Sequence, residues 1–388
     1  MKIFFNFLLI ANVLLFASCA SSEGIFPSVT LDTSETTVVL PNPISIVADT
    51  TNSQVVVANS NVDVLFDAGS LAVLTVDATD TTAPTLTAAH VLAAPNYATE
   101  IYFDGASDIF IPFRESLSSD ASVDVLVKYQ LSDGFIAGVS DFAVADDPFG
   151  ITGTATQVYV VSDDVLSIFD VALTTSTTID LTAAEDSIDS TDSTYAEDVV
   201  IDAINNIAVV SNRSGLMYIV DLATNTLSQV IDGPLSTRAL SISGQTLFAL
   251  DGNAESVWVF DLSLLSAAAS TPESVEDSEI LVTTIAVGND PNGMALDAAN
   301  NRLYVSNTFD DTVSVIDTVS LQEVARVSLD AEDISSSFVR DCEEPFGLTV
   351  GSFNTVSYLF VTCFKTHAIM MLHPSSLNVV EVFPNTAE

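Results

Sequence analysis

Between residues 284 and 329 apolar and polar positions alternate with a period of two, in four short runs at 293–296, 302–306, 312–316 and 323–329. Asn, Asp and Gly punctuate the gaps. Successive side chains of a strand point to opposite faces, so this pattern predicts four half-buried antiparallel strands joined by tight turns.

Degraded copies of the unit recur along the chain. The third run ends in Val315-Ile316-Asp317, and the same ending returns as Val76-Asp77, Phe169-Asp170, Val220-Asp221 and Phe260-Asp261. Fitting the remaining intervals places Gln130 and His373 at the equivalent position, which gives seven registers spaced 40 to 56 residues apart. The first run repeats as Pro148-Phe149-Gly150, Pro291-Asn292-Gly293 and Pro345-Phe346-Gly347, with weaker versions at Pro43-Ile44-Ser45 and Pro95-Asn96-Tyr97-Ala98. The second repeats as Val56-Val57-Ala58-Asn59, Tyr159-Val160-Val161-Ser162, Val209-Val210-Ser211-Asn212 and Tyr304-Val305-Ser306-Asn307. A fixed period of about 50 residues signals a solenoid or a propeller, and short strands without helical patterning select the propeller. The expectation is an all-β chain whose residues 37–388 form a seven-bladed β-propeller of four-stranded antiparallel blades. The recurring Asp reads as a structural turn residue that bonds the backbone following it.

These elements resemble the YVTN-type repeat family, whose members are seven-bladed propellers. The likeness is specific in the sixth unit and fair in the first, third, fourth and seventh. It is degraded to Phe110-Ile111-Pro112-Phe113 in the second unit and Phe248-Ala249-Leu250-Asp251 in the fifth. The resemblance implies a binding face where the first-strand entrances and the loops between strands two and three converge on a central channel. Residues 37–40 are expected as an edge strand on the last blade. Two segments, 180–198 and 266–279, read as loop insertions at the third and fifth blades.

The N-terminus carries an address. Lys2 precedes an apolar run at residues 3–16, too short and wrongly flanked for a spanning helix. It ends in Phe16-Ala17-Ser18-Cys19, which resembles a bacterial lipobox. That implies a signal peptide at residues 1–18, lipidation of Cys19 and a tether at 19–36. Ala20 after the cysteine implies sorting to the outer membrane, facing the periplasm or the surface. Ordinary secretion with an incidental cysteine is the alternative.

Charge narrows the partners. Nine Lys and Arg stand against 52 Asp and Glu, a formal charge of −43. Nucleic acid, which needs a basic face, is excluded as a partner. Contact with the membrane is expected through the lipid alone. Eight basic residues remain after Lys2, and five of them (Arg114, Arg213, Arg238, Arg340 and Lys365) map to the entrance face. They form either an anion pocket or ion pairs with loop carboxylates such as Asp163, Asp251 and Asp310. Cys342 and Cys363 flank the hairpin of the seventh unit at nearly equal distances from its centre, which permits a disulfide in an oxidising envelope; two buried thiols are the alternative.

Catalytic patterns are scarce. His90, His367 and His373 show no metal-ligand spacing, and no Gly-x-Ser-x-Gly elbow, phosphate-binding glycine loop or Cys-x-x-Cys pair occurs. No cofactor is expected. Ca2+ has two weak candidate positions, residues 104–108 and 251–255, neither with EF-hand spacing, and a solvated acidic turn accounts for both. The expected function is a non-enzymatic, lipid-anchored binding or scaffold module for an envelope protein, a polymer or a small ligand. The alternative is a lactonase-like propeller hydrolase or an accessory subunit of an envelope dehydrogenase.

Overall fold

Each apolar run becomes a strand, and consecutive strands pair in sequence order. A computed structural model of the chain describes residues 40–385 except 65, 67, 115–122, 183–194, 266–272, 276, 331–337 and 339. The signal sequence, Cys19 and the tether lie outside the described residues. Seven sheets result, nearly all of four antiparallel strands. Their first strands are Pro43–Asp49, Tyr102–Phe103, Pro148–Gly153, Ala196–Asp202, Thr237–Ser243, Pro291–Asp297 and Pro345–Phe353, for blades 1 to 7. The chain is a seven-bladed β-propeller. A 3-10 turn at Leu262–Leu264 and a four-residue helix at Asp277–Ile280 are the helical elements among the described residues.

Burial explains why the middle strands lost their alternation. Strands two and three face a neighbouring blade on both sides, so both faces must be apolar. Val55, Val56, Val57 and Ala58 are wholly buried, as are Leu247, Phe248, Ala249 and Leu250. The apolar side chains form seven clusters, each shared by two adjacent blades. The cluster that closes the ring packs Phe353, Tyr358, Phe360 and Met371 of blade 7 against Val55, Val57, Leu74 and Val76 of blade 1. Hydrogen bonds cross the same junction: Tyr358 Oη donates to the Thr81 carbonyl at 3.0 Å, and the Asn42 amide donates to His367 Nδ1 at 3.1 Å.

Among the described residues, closure uses no N-terminal strand. Blade 7 takes all four of its strands from Pro345–Phe353, Val356–Cys363, Ala368–Leu372 and Val379–Phe383. Of the expected edge segment only Leu40 is described, and it is buried in the cluster between blades 7 and 1. Apolar packing joins the two ends there.

The recurring aspartates cap turns. Asp77, Asp170, Asp221, Asp261 and Asp317 end third strands, and each accepts backbone N–H groups from two to five residues ahead. A second series escaped the sequence reading. Asp49, Asp202 and Asp297 end first strands and cap the next hairpin in the same way. Turn carboxylates held by N–H donors account for much of the acidity at this end of the ring.

Three expectations need correction. In blade 2 the residue equivalent to the first proline is Ala98, which forms a single bridge to Phe113, and not Pro95; the regular first strand there is only two residues long. Gln130 keeps the expected register, pairing with Asp108 as Asp170 pairs with Gln157, but its strand Val125–Ser132 runs two residues beyond it instead of ending there. Neither insertion is simply a loop. Residues 196–198 of the first belong to Ala196–Asp202, and the second contributes Glu273–Val275, which pairs in parallel with Thr226–Asp232 as a fifth strand on blade 4. An outermost strand has free backbone donors and acceptors, so a passing segment adds to it at little cost.

Close approach of the inner strands explains the glycines of the Pro-x-Gly motif. A Cβ at Gly293 would lie 2.4 Å from the Phe346 carbonyl oxygen of the next blade, and one at Gly347 would lie 2.4 Å from that of Ile44. Both obstacles are backbone and cannot swing away. Gly293→Ala is therefore expected to lower the unfolding free energy by about 1–3 kcal/mol, read from denaturant melts. An unchanged midpoint would contradict this packing.

Candidate functional site

Six of the seven first strands carry a register shift near their start. The extra residue of a bulge leaves the ladder and re-aims its side chain. In those six blades it places one side chain each, Ile44, Phe149, Glu197, Arg238, Asn292 and Phe346, around the mouth of the central channel, and Thr99 takes the equivalent place in blade 2. All seven blades line the cavity, which measures about 410 Å³.

The residue after each of these decides how neighbouring blades meet. Where it is Gly150, Gly293 or Gly347, the backbones touch directly. Where it carries a polar side chain, that side chain accepts an N–H from the next blade. Ser45 Oγ accepts from Ile101 at 3.2 Å, Glu100 Oε2 from Ile151 at 3.4 Å, and Asp198 Oδ2 from Leu240 at 2.6 Å. Asp198 Oδ1 also accepts from Val199 at 2.6 Å.

Two of these acceptors are carboxylic acids, and they meet. Gly150 sits between them, and a Cβ there would lie 3.0 Å from Asp198 Oδ1. Glu100 and Asp198 are within side-chain hydrogen-bonding reach of each other. Burial, and then repulsion from Asp198, raises Glu100 well above the usual carboxylate range. Burial raises Asp198 too, against the two N–H groups that favour its anion. Glu100 is thus the protonated partner and Asp198 the anion.

The basic residues proposed from the sequence are placed as follows. Arg213 pairs with Glu197, its Nη2 donating to Oε1 at 2.9 Å. Arg238 pairs with Asp290 at 2.9 Å and donates to Asn292 Oδ1 at 2.7 Å. Lys365 pairs with Glu343. Arg340 donates to the Thr366 carbonyl at 2.7 Å. Arg114 stacks on Phe149, its guanidinium carbon 3.9 Å from the ring centre, and Arg213 approaches the same ring at 5.1 Å. Such stacking suits a weakly hydrated, planar cation. Burial lowers Arg114 to about 10, so it stays charged at neutral pH. The ion-pair partners are Glu197, Asp290 and Glu343 rather than Asp163 and Asp251. Asp310 faces Arg326 at 3.8 Å instead.

The two candidate Ca2+ turns use their carboxylates on themselves. Asp104 Oδ1 accepts from the amides of Ala106, Ser107 and Asp108, and Asp251 Oδ1 from those of Asn253 and Ala254. Among the described residues no group of three or more His, Cys, Asp or Glu could hold a metal ion.

Cys342 and Cys363 form a disulfide, Cα atoms 4.9 Å apart, at the entrance face of blade 7. In blade 6 the equivalent positions are Gly288 and Asn307, where the Gly288 amide donates to Asn307 Oδ1 at 2.9 Å. The bridge stands in for a hydrogen bond that fastens the incoming chain to the end of strand two. Replacing both cysteines with Ala is expected to cost about 3 kcal/mol of stability by the chain-entropy estimate, measured by urea melts under non-reducing conditions. Parity with the wild type would show that the bridge adds nothing.

The Glu100–Asp198 pair, and Asp124 raised to about 6 by burial, hold protons in the folded state that the unfolded chain has released. Stability from these groups is full below about pH 4 and is lost as pH rises through their folded values. The aspartates held low by turn amides, such as Asp77 and Asp317, act in the opposite sense and only in strong acid. Melting temperature is therefore expected to peak at mildly acidic pH and to fall from about pH 5 to about pH 8. A rise over that window would contradict the buried pair.

The β-propeller domain of Cps50 (Swd1) from Myceliophteria thermophila is similar to this chain, with a TM-score of 0.61 over 86% of this chain and 97% of that one at 12% identity. The sequence matches no family model and no curated protein sequence. What the likeness shows is the seven-bladed propeller fold.

Proposed function

We propose that the chain is a lipid-anchored envelope propeller of the YVTN type, held at the outer membrane through Cys19, whose entrance face docks another protein. The observation that carries this reading is the set of exposed apolar side chains on that face. Val64 and Val123 project from the loops between strands two and three of blades 1 and 2, and Phe309 from that of blade 6. Tyr195 and Leu235 project from the entrances of blades 4 and 5, Leu235 at 70% exposure. Aromatic and large apolar residues within a polar surround are the composition of a protein-binding patch.

The surrounding ion pairs support a scaffold. Arg213, Arg238 and Lys365 each neutralise a carboxylate of the entrance face, which reduces the repulsion that a charge of −43 would raise against an approaching protein. The loops they fasten give the patch a fixed shape, which lowers the entropy cost of docking. Within the channel Glu100 and Asp198 are engaged with backbone N–H groups of the next blade.

A photo-activatable cross-linking residue at Phe309 or Leu235, in cells of the source, is expected to give one discrete heteromeric adduct. The same residue at Ile204 or Val319, exposed on the opposite face, is expected to give none. Equal labelling from both faces would overturn the assignment of the docking face. Cys19→Ser is expected to move the protein from the membrane to the soluble fraction; retention at the membrane would overturn the lipid anchor.

A further inference from the structure

The inner wall of the channel is least secured at blade 2. Its regular first strand is only Tyr102–Phe103, and Ala98 adds an isolated bridge to Phe113. Residues 99–101 between them are held by separate contacts. Thr99 donates its amide to the Pro112 carbonyl at 3.2 Å, Ile101 donates to Ser45 Oγ, and Glu100 accepts from Ile151 of blade 3. Asp198 continues the chain of contacts from blade 4 to Leu240 of blade 5. The Glu100–Asp198 contact over Gly150 thus joins four consecutive blades through two carboxyl groups.

Few charges face this pair. Glu197, on the same strand as Asp198, is held by Arg213. Blade 3 presents the backbone of Gly150 and Ile151. Blade 5 brings Arg238 to the channel, where it pairs with Asp290 of the blade 6 entrance. A second negative charge on the pair would meet no cation positioned to receive it among the described residues, in a setting that has little water to screen it.

We propose that the Glu100–Asp198 pair is a proton-controlled latch, closed while one proton bridges the two carboxyls and released at blade 2 when that proton leaves. Glu100 is the side that lets go. Asp198 is fixed by two short N–H bonds of 2.6 Å, whereas Glu100 has a single one of 3.4 Å on a segment without a continuous ladder. Its departure frees the Ile151 amide and loosens residues 99–101, which opens the channel wall between blades 2 and 3. The step is a proton transfer to a solvent base: the carboxyl O–H bond breaks, its electron pair stays on the carboxylate, and the base gains the proton. Burial, which raises both groups, sets the opening above the usual carboxylate range. This latch is independent of the docking partner proposed above.

Hydrogen exchange followed by mass spectrometry on the full mature chain tests it, with rates corrected for intrinsic pH dependence. Between about pH 5.5 and about pH 8.5, protection of peptides covering 99–103 and 148–153 is expected to fall about tenfold relative to peptides covering 291–297 and 345–353. Glu100→Gln keeps an acceptor for Ile151 and a donor for Asp198 but cannot ionise, and its protection ratio is expected to stay flat. A flat ratio in the wild type, or the same fall in Glu100→Gln, overturns the latch. Should that variant not fold, difference infrared spectroscopy of the wild type decides: a protonated-carboxyl band at about pH 6.5 that disappears by about pH 9 supports the latch, and its absence at the lower pH overturns it.

Discussion

A four-stranded blade has two apolar faces and no means of covering either by itself. Everything else in this molecule depends on that constraint. Each of the seven apolar clusters belongs to two blades, so no blade is complete until both neighbours are in place. Joining the last blade to the first removes the remaining pair of exposed faces. Among the described residues Phe353, Tyr358 and Phe360 do that work by packing on blade 1.

Crowding at the centre of the ring then dictates the chemistry of the channel. Seven strands converge there, and each must meet the next at backbone distance. Two solutions recur at six of the seven positions around the ring. Glycine lets carbonyl and Cα touch directly, as at Gly150, Gly293 and Gly347. A short acceptor, as at Ser45, Glu100 and Asp198, takes the neighbouring N–H into a hydrogen bond. An acid serves this second purpose only at a cost in desolvation, which sharing a proton reduces. The same bulges that create the positions also direct the preceding side chains, among them Phe149, Glu197 and Arg238, to the channel mouth.

Charge is distributed by the same geometry. Turn aspartates accumulate where strands one and three end, and their carboxylates are occupied by backbone amides. Five of the eight cations among the described residues lie at the opposite face, where Arg213, Arg238 and Lys365 fasten loops through ion pairs. In blade 7 a disulfide performs the fastening that Gly288 and Asn307 perform in blade 6. The entrance face thus has Glu197, Asp290 and Glu343 neutralised by ion pairs, while Asp163 still faces Asp164, Asp147 and Asp146.

The periodic elements were legible in the sequence because they are local. Alternating runs, the Asp ending strand three and the Pro-x-Gly motif each record a requirement met within a few residues of chain, and their repetition determined the number of blades. Blade 2 was misaligned by three residues because Ala98-Thr99-Glu100 retains none of the Pro-x-Gly chemistry, and only its pairing with Phe113 identifies it. Likewise, Glu100 and Asp198 are 98 positions apart, and nothing in either neighbourhood marks them among 52 acidic residues. Their meeting over Gly150, the choice of Glu197, Asp290 and Glu343 as ion-pair partners, and the fifth strand on blade 4 are contacts between distant segments. Sequence determined the repeating unit, because strand and turn preferences act locally; tertiary structure alone decided the channel, because its contacts exist only once the ring has closed.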